Sequence, residues 1–186
     1  MSRYTGPRTQ GSRDPYVDGE AAKRRPVTFT VDAARTLPCT VVEIWEVLEG
    51  FSDLATWSNS IHRSWPEGEG PTTGLGAERG CELLPGRIVY ERITAYEPMA
   101  LMRVEVTRSE GLPISSMISE YKVEGEGLTS ARISGHASLE LKLPPVLLKA
   151  LQPRLDAKLA ERIEQAFTDL EMEVERRRSG PSSSSS

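Results

Sequence analysis

Several features are scarce in this chain of 186 residues, and each scarcity excludes a kind of protein. Cysteine occurs only at Cys39 and Cys81, with no second Cys or His at metal-ligand spacing, so neither a disulfide framework nor a metal site is expected. No apolar run approaches the roughly 20 residues that a membrane-spanning helix needs, and no signal-peptide core follows Met1. We therefore predict a soluble, cytoplasmic protein with two reduced thiols and no stable membrane insertion.

The chain also lacks an excess of positive charge, because its 23 Lys and Arg residues are outnumbered by 27 Asp and Glu residues. Nucleic acid is not expected as a partner, since binding phosphates requires a basic face. Catalytic motifs are few: there is no P-loop and no nucleophile elbow, and the turn at residues 74–76 lacks the third glycine of a dinucleotide-binding loop. Of the two histidines, His62 is expected at the rim of the fold and His136 on the outer side of a strand. No catalytic residue and no cofactor is assigned from these patterns.

Composition divides the chain into three parts. Residues 1–26 are rich in Gly, Pro, Ser, Thr and Arg and nearly devoid of apolar side chains, so they cannot bury enough surface to offset the entropy of ordering. Residues 179–186 are a low-complexity, serine-rich tail. We predict a disordered arm over 1–26, one domain over 27–178 and a disordered tail over 179–186.

Hydrophobic periodicity predicts the elements of that domain. Period-two alternation indicates strands, with turn-rich connections that favour an antiparallel meander. Two short helices follow the first strand: Gly50 ends the first, and Ser52 is a plausible N-cap of the second. Apolar residues then recur every three or four positions in one long helix, kinked or restarted near Pro153. The strands are expected over residues 27–35, 61–65, 77–84, 87–96, 100–108, 115–123 and 130–143.

The apolar stripe of the long helix needs a partner, and the only surface large enough is the inner face of the sheet. The sequence therefore predicts an α+β fold in which a curved, antiparallel, seven-stranded sheet wraps around the C-terminal helix. Two charged residues share the inward parity of apolar neighbours: Arg79 with Cys81, and Glu91 with Val89 and Ile93. Because an isolated buried charge costs several kcal/mol, they predict either a polar-tipped cavity or a structural ion pair.

Several short motifs follow one another along the predicted elements. They are Pro38-x6-Trp45-x2-Leu48, Phe51-x2-Leu54-x2-Trp57, Gly74-x-Gly76-x2-Arg79, Pro85-Gly86-x4-Glu91-Arg92-Ile93 and Gly111-Leu112-Pro113. Their order and spacing resemble the START-like, or SRPBCC, superfamily of the polyketide cyclase/dehydrase type, whose helix-grip fold is shared by the birch-pollen allergen and the plant abscisic-acid receptors. The resemblance covers residues 27–175.

The resemblance implies a cavity between sheet and helix that binds a small hydrophobic molecule such as a lipid, a polyketide or another aromatic or isoprenoid-like compound. Apolar side chains with a few polar ones usually line such cavities. Gly135 and Ala137 are small where a filled core would prefer bulk, although inward parity alone does not distinguish lining a cavity from filling a core. The candidate ligand-binding residues are Arg79, Cys81, Leu83, Val89, Glu91, Ile93, Met102, Val104, Met117, Tyr121, Ile133, Gly135, Leu155, Leu159 and Ile163.

Three functions remain open. The first is binding or carriage of the hydrophobic molecule. The second is polyketide cyclase/dehydratase chemistry in the same cavity, with Glu91, Tyr121 or an inward arginine as acid–base groups. The third, weaker one is protein binding by the charged outer face of the helix over residues 161–178. Loops 83–86 and 111–114 resemble the gate and latch of the hormone receptors, but residues 57–60 contain no lysine to meet a hormone carboxylate, so hormone reception is disfavoured.

Overall fold

The computed structural model describes residues 27–180, so the predicted arm over 1–26 and most of the predicted tail lie outside the described residues. The described chain confirms the α+β class, with seven strands, two short helices after the first strand and a long C-terminal helix. The elements are β1 (Thr28–Leu37), α1 (Val41–Glu49), α2 (Leu54–Trp57), β2 (Arg63–Pro66), β3 (Glu78–Leu84), β4 (Arg87–Glu97), β5 (Leu101–Glu110), β6 (Ile114–Gly125), β7 (Ala131–Leu141) and α3 (Pro145–Arg178).

The seven strands form one antiparallel sheet in the order β1-β7-β6-β5-β4-β3-β2. Strands β2 to β7 are therefore a simple meander, and β1 pairs with β7, the last strand of the described residues. Register shifts interrupt the ladders between β3 and β4, β4 and β5, and β6 and β7. Such bulges bend a strand and increase its twist, which curves this sheet around its concave face.

Helix α1 begins with two hydrogen bonds between Thr40 and Glu43. The Thr40 hydroxyl accepts a hydrogen bond from the Glu43 backbone, and the Glu43 carboxylate accepts one from the Thr40 N–H. This reciprocal capping box satisfies two N–H groups that the first turn of a helix leaves without partners. Gly50 follows the helix as predicted.

The N-cap predicted for the second helix is wrong. A 3-10 turn over Phe51–Asp53 precedes α2, and neither start has a side-chain cap. The Ser52 hydroxyl is buried without a hydrogen-bond partner among residues 27–180, while the Ser52 carbonyl accepts a bond from the Ser64 hydroxyl. The backbone of this segment is thus fixed by β2 rather than by a serine cap.

Helix α3 is a single helix of 34 residues that contains Pro153. Its second half is anchored in the core by Phe167, Leu170 and Val174, whereas most residues of its first half are exposed. The helix packs mainly against β1, with further contacts to α1 and β7. Among residues 27–180, no helix is both long and apolar enough to cross a membrane.

Candidate functional site

The concave face of the sheet carries two apolar clusters that differ in how well they are packed. The main core lies under the second half of α3 and contains fully buried Phe29, Trp45 and Phe167. The second cluster has only three buried members, Cys81, Val89 and Ile114. Its other members are only partly buried: Leu54, Ile61, Leu83, Val106, Leu112, Met117, Leu139 and Leu141. One end of the concavity is therefore filled, and the other is lined by apolar side chains that solvent still reaches.

A charged pair lies between the two clusters. Arg79 and Glu91 are direct cross-strand partners on β3 and β4, and Arg79 Nε donates to Glu91 Oε2 at 2.7 Å. Arg79 Nη1 also donates to the Phe51 carbonyl at 2.7 Å, and the guanidinium lies 4.0 Å from the centre of the Phe51 ring. Each side chain is only 12% exposed. The inward parity predicted for both residues is confirmed, and they form an ion pair.

Burial is the main influence on the protonation of Cys81, which lies beside the ion pair. Burial raises the pKa of Cys81 to about 12, although the positive charge of Arg79 opposes the rise. The Cys81 thiol thus stays protonated at neutral pH and donates a weak bond to Glu91 Oε2 at 3.7 Å. Burial lowers the pKa of Arg79, but the charge and hydrogen bond of Glu91, together with the smaller effects of Cys81 and Tyr121, outweigh it. The pKa therefore ends above its usual value and the guanidinium stays charged.

Tyr121 completes the polar group at this level. It lies on β6, partly buried against the main core, and burial raises the pKa of its hydroxyl while the Arg79 charge lowers it. The Tyr121 hydroxyl makes no hydrogen bond with any other residue of 27–180, and neither Arg79 Nη2 nor Glu91 Oε1 does. The Tyr121 hydroxyl and Arg79 Nη2 could therefore donate hydrogen bonds to a bound molecule, and Glu91 Oε1 could accept one.

The candidate residues fall into distinct environments. Those in the second cluster are Cys81, Leu83, Val89 and Met117. Leu155 packs at the edge of the main core and is partly buried. Six are fully packed core residues: Ile93, Met102, Val104, Ile133, Leu159 and Ile163. The sequence predicted one continuous lining, whereas the structure separates a packed end from an open end.

Gly135 is small for a different reason from the one the sequence suggested. A Cβ at this position would lie 3.1 Å from Ile163 Cγ2 and 3.1 Å from Phe167 Cζ. That spacing is tighter than ordinary van der Waals contact, so the missing side chain lets α3 approach β7 closely. Gly135 therefore belongs to the contact between helix and sheet, not to open space.

The loops at the open end touch one another. A Cβ at Gly111, which has φ of 66°, would lie 2.3 Å from the Gly86 carbonyl oxygen. The Pro113 carbonyl accepts a hydrogen bond from the Lys142 N–H at 2.7 Å, which joins the β5–β6 loop to the start of the connection into α3. Beside them, residues 59–62 and 83–85 line a groove of about 290 Å³. His62 is exposed at this groove, as predicted for a rim residue.

The opposite, convex face of the sheet carries a shallow depression of about 360 Å³, lined by residues of β1, β6 and β7. His136 points into it and pairs with Asp32 at 2.8 Å, which confirms its predicted outward direction. Among residues 27–180, no three His, Cys, Asp or Glu side chains gather in a metal-binding arrangement.

Sequence reasoning missed several members of the second cluster. Leu54, Ile61, Leu112 and Ile114 come from α2, two loops and the first residue of β6. Period-two parity does not apply to such positions. Leu141 is the exception, because it shares the inward parity of Leu139 and could have been included.

Comparison with known proteins places the chain among proteins of one fold. The model of a family described as polyketide cyclase/dehydrase and lipid transport matches residues 28–175. No curated protein matches the sequence.

Among solved structures, the Zhui aromatase/cyclase from Streptomyces sp. R1128 is similar with a TM-score of 0.69 at 12% identity, over 86% of this chain and 100% of the other. A START superfamily protein from Mycobacterium smegmatis gives 0.66 at 14% identity, over 79% and 97%. Norcoclaurine synthase from Thalictrum flavum, in complex with dopamine and hydroxybenzaldehyde, gives 0.62 at 16% identity, over 91% and 96%. At these identities the likeness concerns the fold alone.

Proposed function

The chain belongs to the polyketide cyclase/dehydrase and lipid transport family, since that family's model matches most of its length, and we propose that it binds a small, largely hydrophobic molecule at the open end of the concavity. The observation that carries this proposal is the second cluster, whose inward-facing apolar side chains remain partly exposed. Burying them against an apolar ligand removes that surface from water, which favours binding by about 25 cal/mol per Å².

The polar group between the clusters gives the ligand an orientation. A molecule filling the second cluster would meet the free Tyr121 hydroxyl and the free Nη2 of Arg79. A carbonyl or hydroxyl at one end of the ligand would satisfy them, as a few placed polar groups do in ligand sites. The ligand class is therefore apolar with one polar end.

Binding is favoured over cyclase or dehydratase chemistry by the state of Glu91. Its Oε2 already accepts hydrogen bonds from Arg79 and from the Cys81 thiol, whereas a general base needs a carboxylate oxygen within hydrogen-bond reach of the proton that it removes. The protonated Cys81 thiol is likewise a poor nucleophile.

Protein binding by the end of α3 has no support in the arrangement of its charges. Arg176 and Arg177 bond to Glu173, and Arg178 bonds to Glu43 on α1. These charges are used within the domain and hold the helix end in place.

Two substitutions on one face of β5 test whether the second cluster surrounds free space. Val106 is partly buried in the second cluster, and Val104, two residues before it, is 4% exposed in the main core. We expect Val106→Phe to leave the free energy of unfolding nearly unchanged and to weaken binding of a fluorescent hydrophobic probe. Val104→Phe, the matched control, should cost about 1–3 kcal/mol because it overpacks a filled core.

Urea unfolding and probe titration of both variants measure these effects. If Val106→Phe destabilises the domain as much as Val104→Phe does, the second cluster is filled and the proposal is wrong. Native mass spectrometry of the unsubstituted chain, purified from its own host, is a separate measurement that would identify a bound molecule directly.

A further inference from the structure

The loops around the open end form one continuous rim. We define this rim as the β3–β4 turn (residues 84–87), the β5–β6 loop (111–113) and the connection into α3 with its first turn (142–149). Gly86 and Gly111 are in contact, and Pro113 is hydrogen-bonded to Lys142. The three segments therefore present a shared outer surface.

Large apolar side chains project from this rim into solvent. Val146 is 82% exposed, Leu84 52% and Leu147 44%. They lie on two of its three segments, and none belongs to either apolar cluster. Exposed apolar side chains grouped around the entrance of a site mark an interaction surface more often than isolated ones do.

The rim and the first half of α3 also hold the free positive charge of the domain. Most Lys and Arg side chains of residues 27–180 are in ion pairs with Asp or Glu. Those without an ion pair in this range are confined to the rim and to α3 as far as its middle. They are Arg87, Lys142, Lys149, Arg154, Lys158 and Arg162.

Charge and apolar surface share one face of the helix. At 100° per residue, Val146, Lys149, Ala150 and Arg154 fall on the outward side of α3, opposite Leu155 and Leu159. No carboxylate occurs between residues 142 and 155, although the whole chain has a net charge of −4. Positive charge is thus concentrated where the apolar side chains are exposed.

We propose that this rim docks on an anionic lipid bilayer. Apolar side chains flanked by lysine and arginine are the combination that inserts at the headgroup level while its cations meet acidic lipids. The concavity opens at the same end, so a docked domain presents its entrance to the bilayer. An acidic protein surface could match the cations, but three exposed aliphatic side chains around them fit an acyl-chain boundary better.

Vesicle co-sedimentation of the full chain tests this surface. We expect binding to vesicles of equal parts phosphatidylcholine and phosphatidylglycerol, and binding at least about tenfold weaker to phosphatidylcholine alone. Sodium chloride at about 1 M should release the protein, because the screening length falls to about 3 Å. Reversing two rim cations, Lys149→Glu with Arg154→Glu, should weaken binding on the order of 25-fold or more.

The matched control reverses two cations away from the rim, Lys122→Glu with Arg132→Glu, which changes the net charge equally. We expect it to bind the anionic vesicles much as the unsubstituted protein does. The pair Val146→Ser with Leu147→Ser should also weaken binding, and circular dichroism confirms that each variant is folded.

Three results would overturn the proposal: no binding to anionic vesicles, equal binding to both vesicle types, or equal losses in the rim and control variants. Concentration-dependent dimerisation that only the rim variants abolish, in the absence of vesicle binding, would assign the surface to a second copy instead. Docking needs no occupant in the concavity, so vesicle binding and probe binding fail independently of each other.

Discussion

The Arg79–Glu91 pair determines what a single substitution inside the concavity costs. Each side chain is 12% exposed and hydrogen-bonded to the other, and Arg79 also satisfies the Phe51 carbonyl. Desolvating two charges roughly cancels their attraction, so the pair as a whole adds little stability, whereas one partner left alone is strongly unfavourable. The consequence is a non-additive response to mutation.

We expect Glu91→Gln alone to lower the free energy of unfolding by about 3–5 kcal/mol, because it leaves the Arg79 charge buried and unpaired. The double variant Arg79→Met with Glu91→Gln should recover much of that loss. Urea unfolding of both single variants and the double variant gives the coupling energy. Small, additive changes would show that the pair is hydrated and does not set the stability of the interior.

Sequence reasoning predicted this pair because side chains alternate across a strand, so counting by two from Cys81 and Val89 placed both charges inside. It could not decide between an ion pair and ligand contact, since parity gives a direction and not a partner. The register of β3 on β4 supplies the partner by setting Arg79 opposite Glu91. Contact with a ligand stays a prediction.

Glu43 links two elements at once, the start of α1 and the end of α3. Its carboxylate closes the capping box of α1 and pairs with Arg178 at 2.7 Å. The hydrogen bond from Arg178, followed by that from the Thr40 backbone, lowers the pKa of Glu43 from 4.5 to about 2. A lowered folded-state pKa gives stability that is present above the usual pKa and lost as the pH falls.

We expect Glu43→Ala to destabilise the domain at neutral pH by about 1 kcal/mol, since both the cap and a partly exposed ion pair are lost. The difference between this variant and the unsubstituted protein should shrink between pH 4.5 and about 2, as Glu43 becomes protonated in the folded state. Thermal melts at several pH values measure it. A difference that stays constant over this range would mean that the carboxylate charge plays no part.

The elements predicted from periodicity agree with those observed to within a few residues at each end, and the failures have local causes. The hydroxyl of Ser52 predicts an N-cap, but a 3-10 turn forms there and the Ser52 carbonyl accepts a hydrogen bond from the Ser64 hydroxyl. The sequence leaves open whether the long helix is kinked or starts afresh near Pro153. One helix continues through Pro153, which lies at an exposed position. Water can there hydrogen-bond the carbonyl that a proline leaves without a partner. Such choices depend on which groups reach solvent, which a pattern of residues does not state.

The whole molecule depends on α3 lying in the concavity of the sheet. Leu159 is buried there, whereas Ala157, two residues earlier on the same helix, is exposed. We expect Leu159→Asp to unfold the domain, because it buries an unpaired carboxylate at a cost of several kcal/mol. Ala157→Asp, the matched control, should change stability little. A folded Leu159→Asp variant with an unchanged melting temperature would contradict this packing.

Order along the chain differs from order in the sheet, and this has a consequence for synthesis. Strand β1 leaves the ribosome before any other described strand, yet β7, its only neighbour among residues 27–180, and the helix that packs on it are the last of the described elements to follow. Until then β1 remains an unpaired edge, which other chains can extend. A nascent chain that stalls before β7 therefore carries a strand without its partner, and it is prone to aggregate until β7 and α3 have emerged.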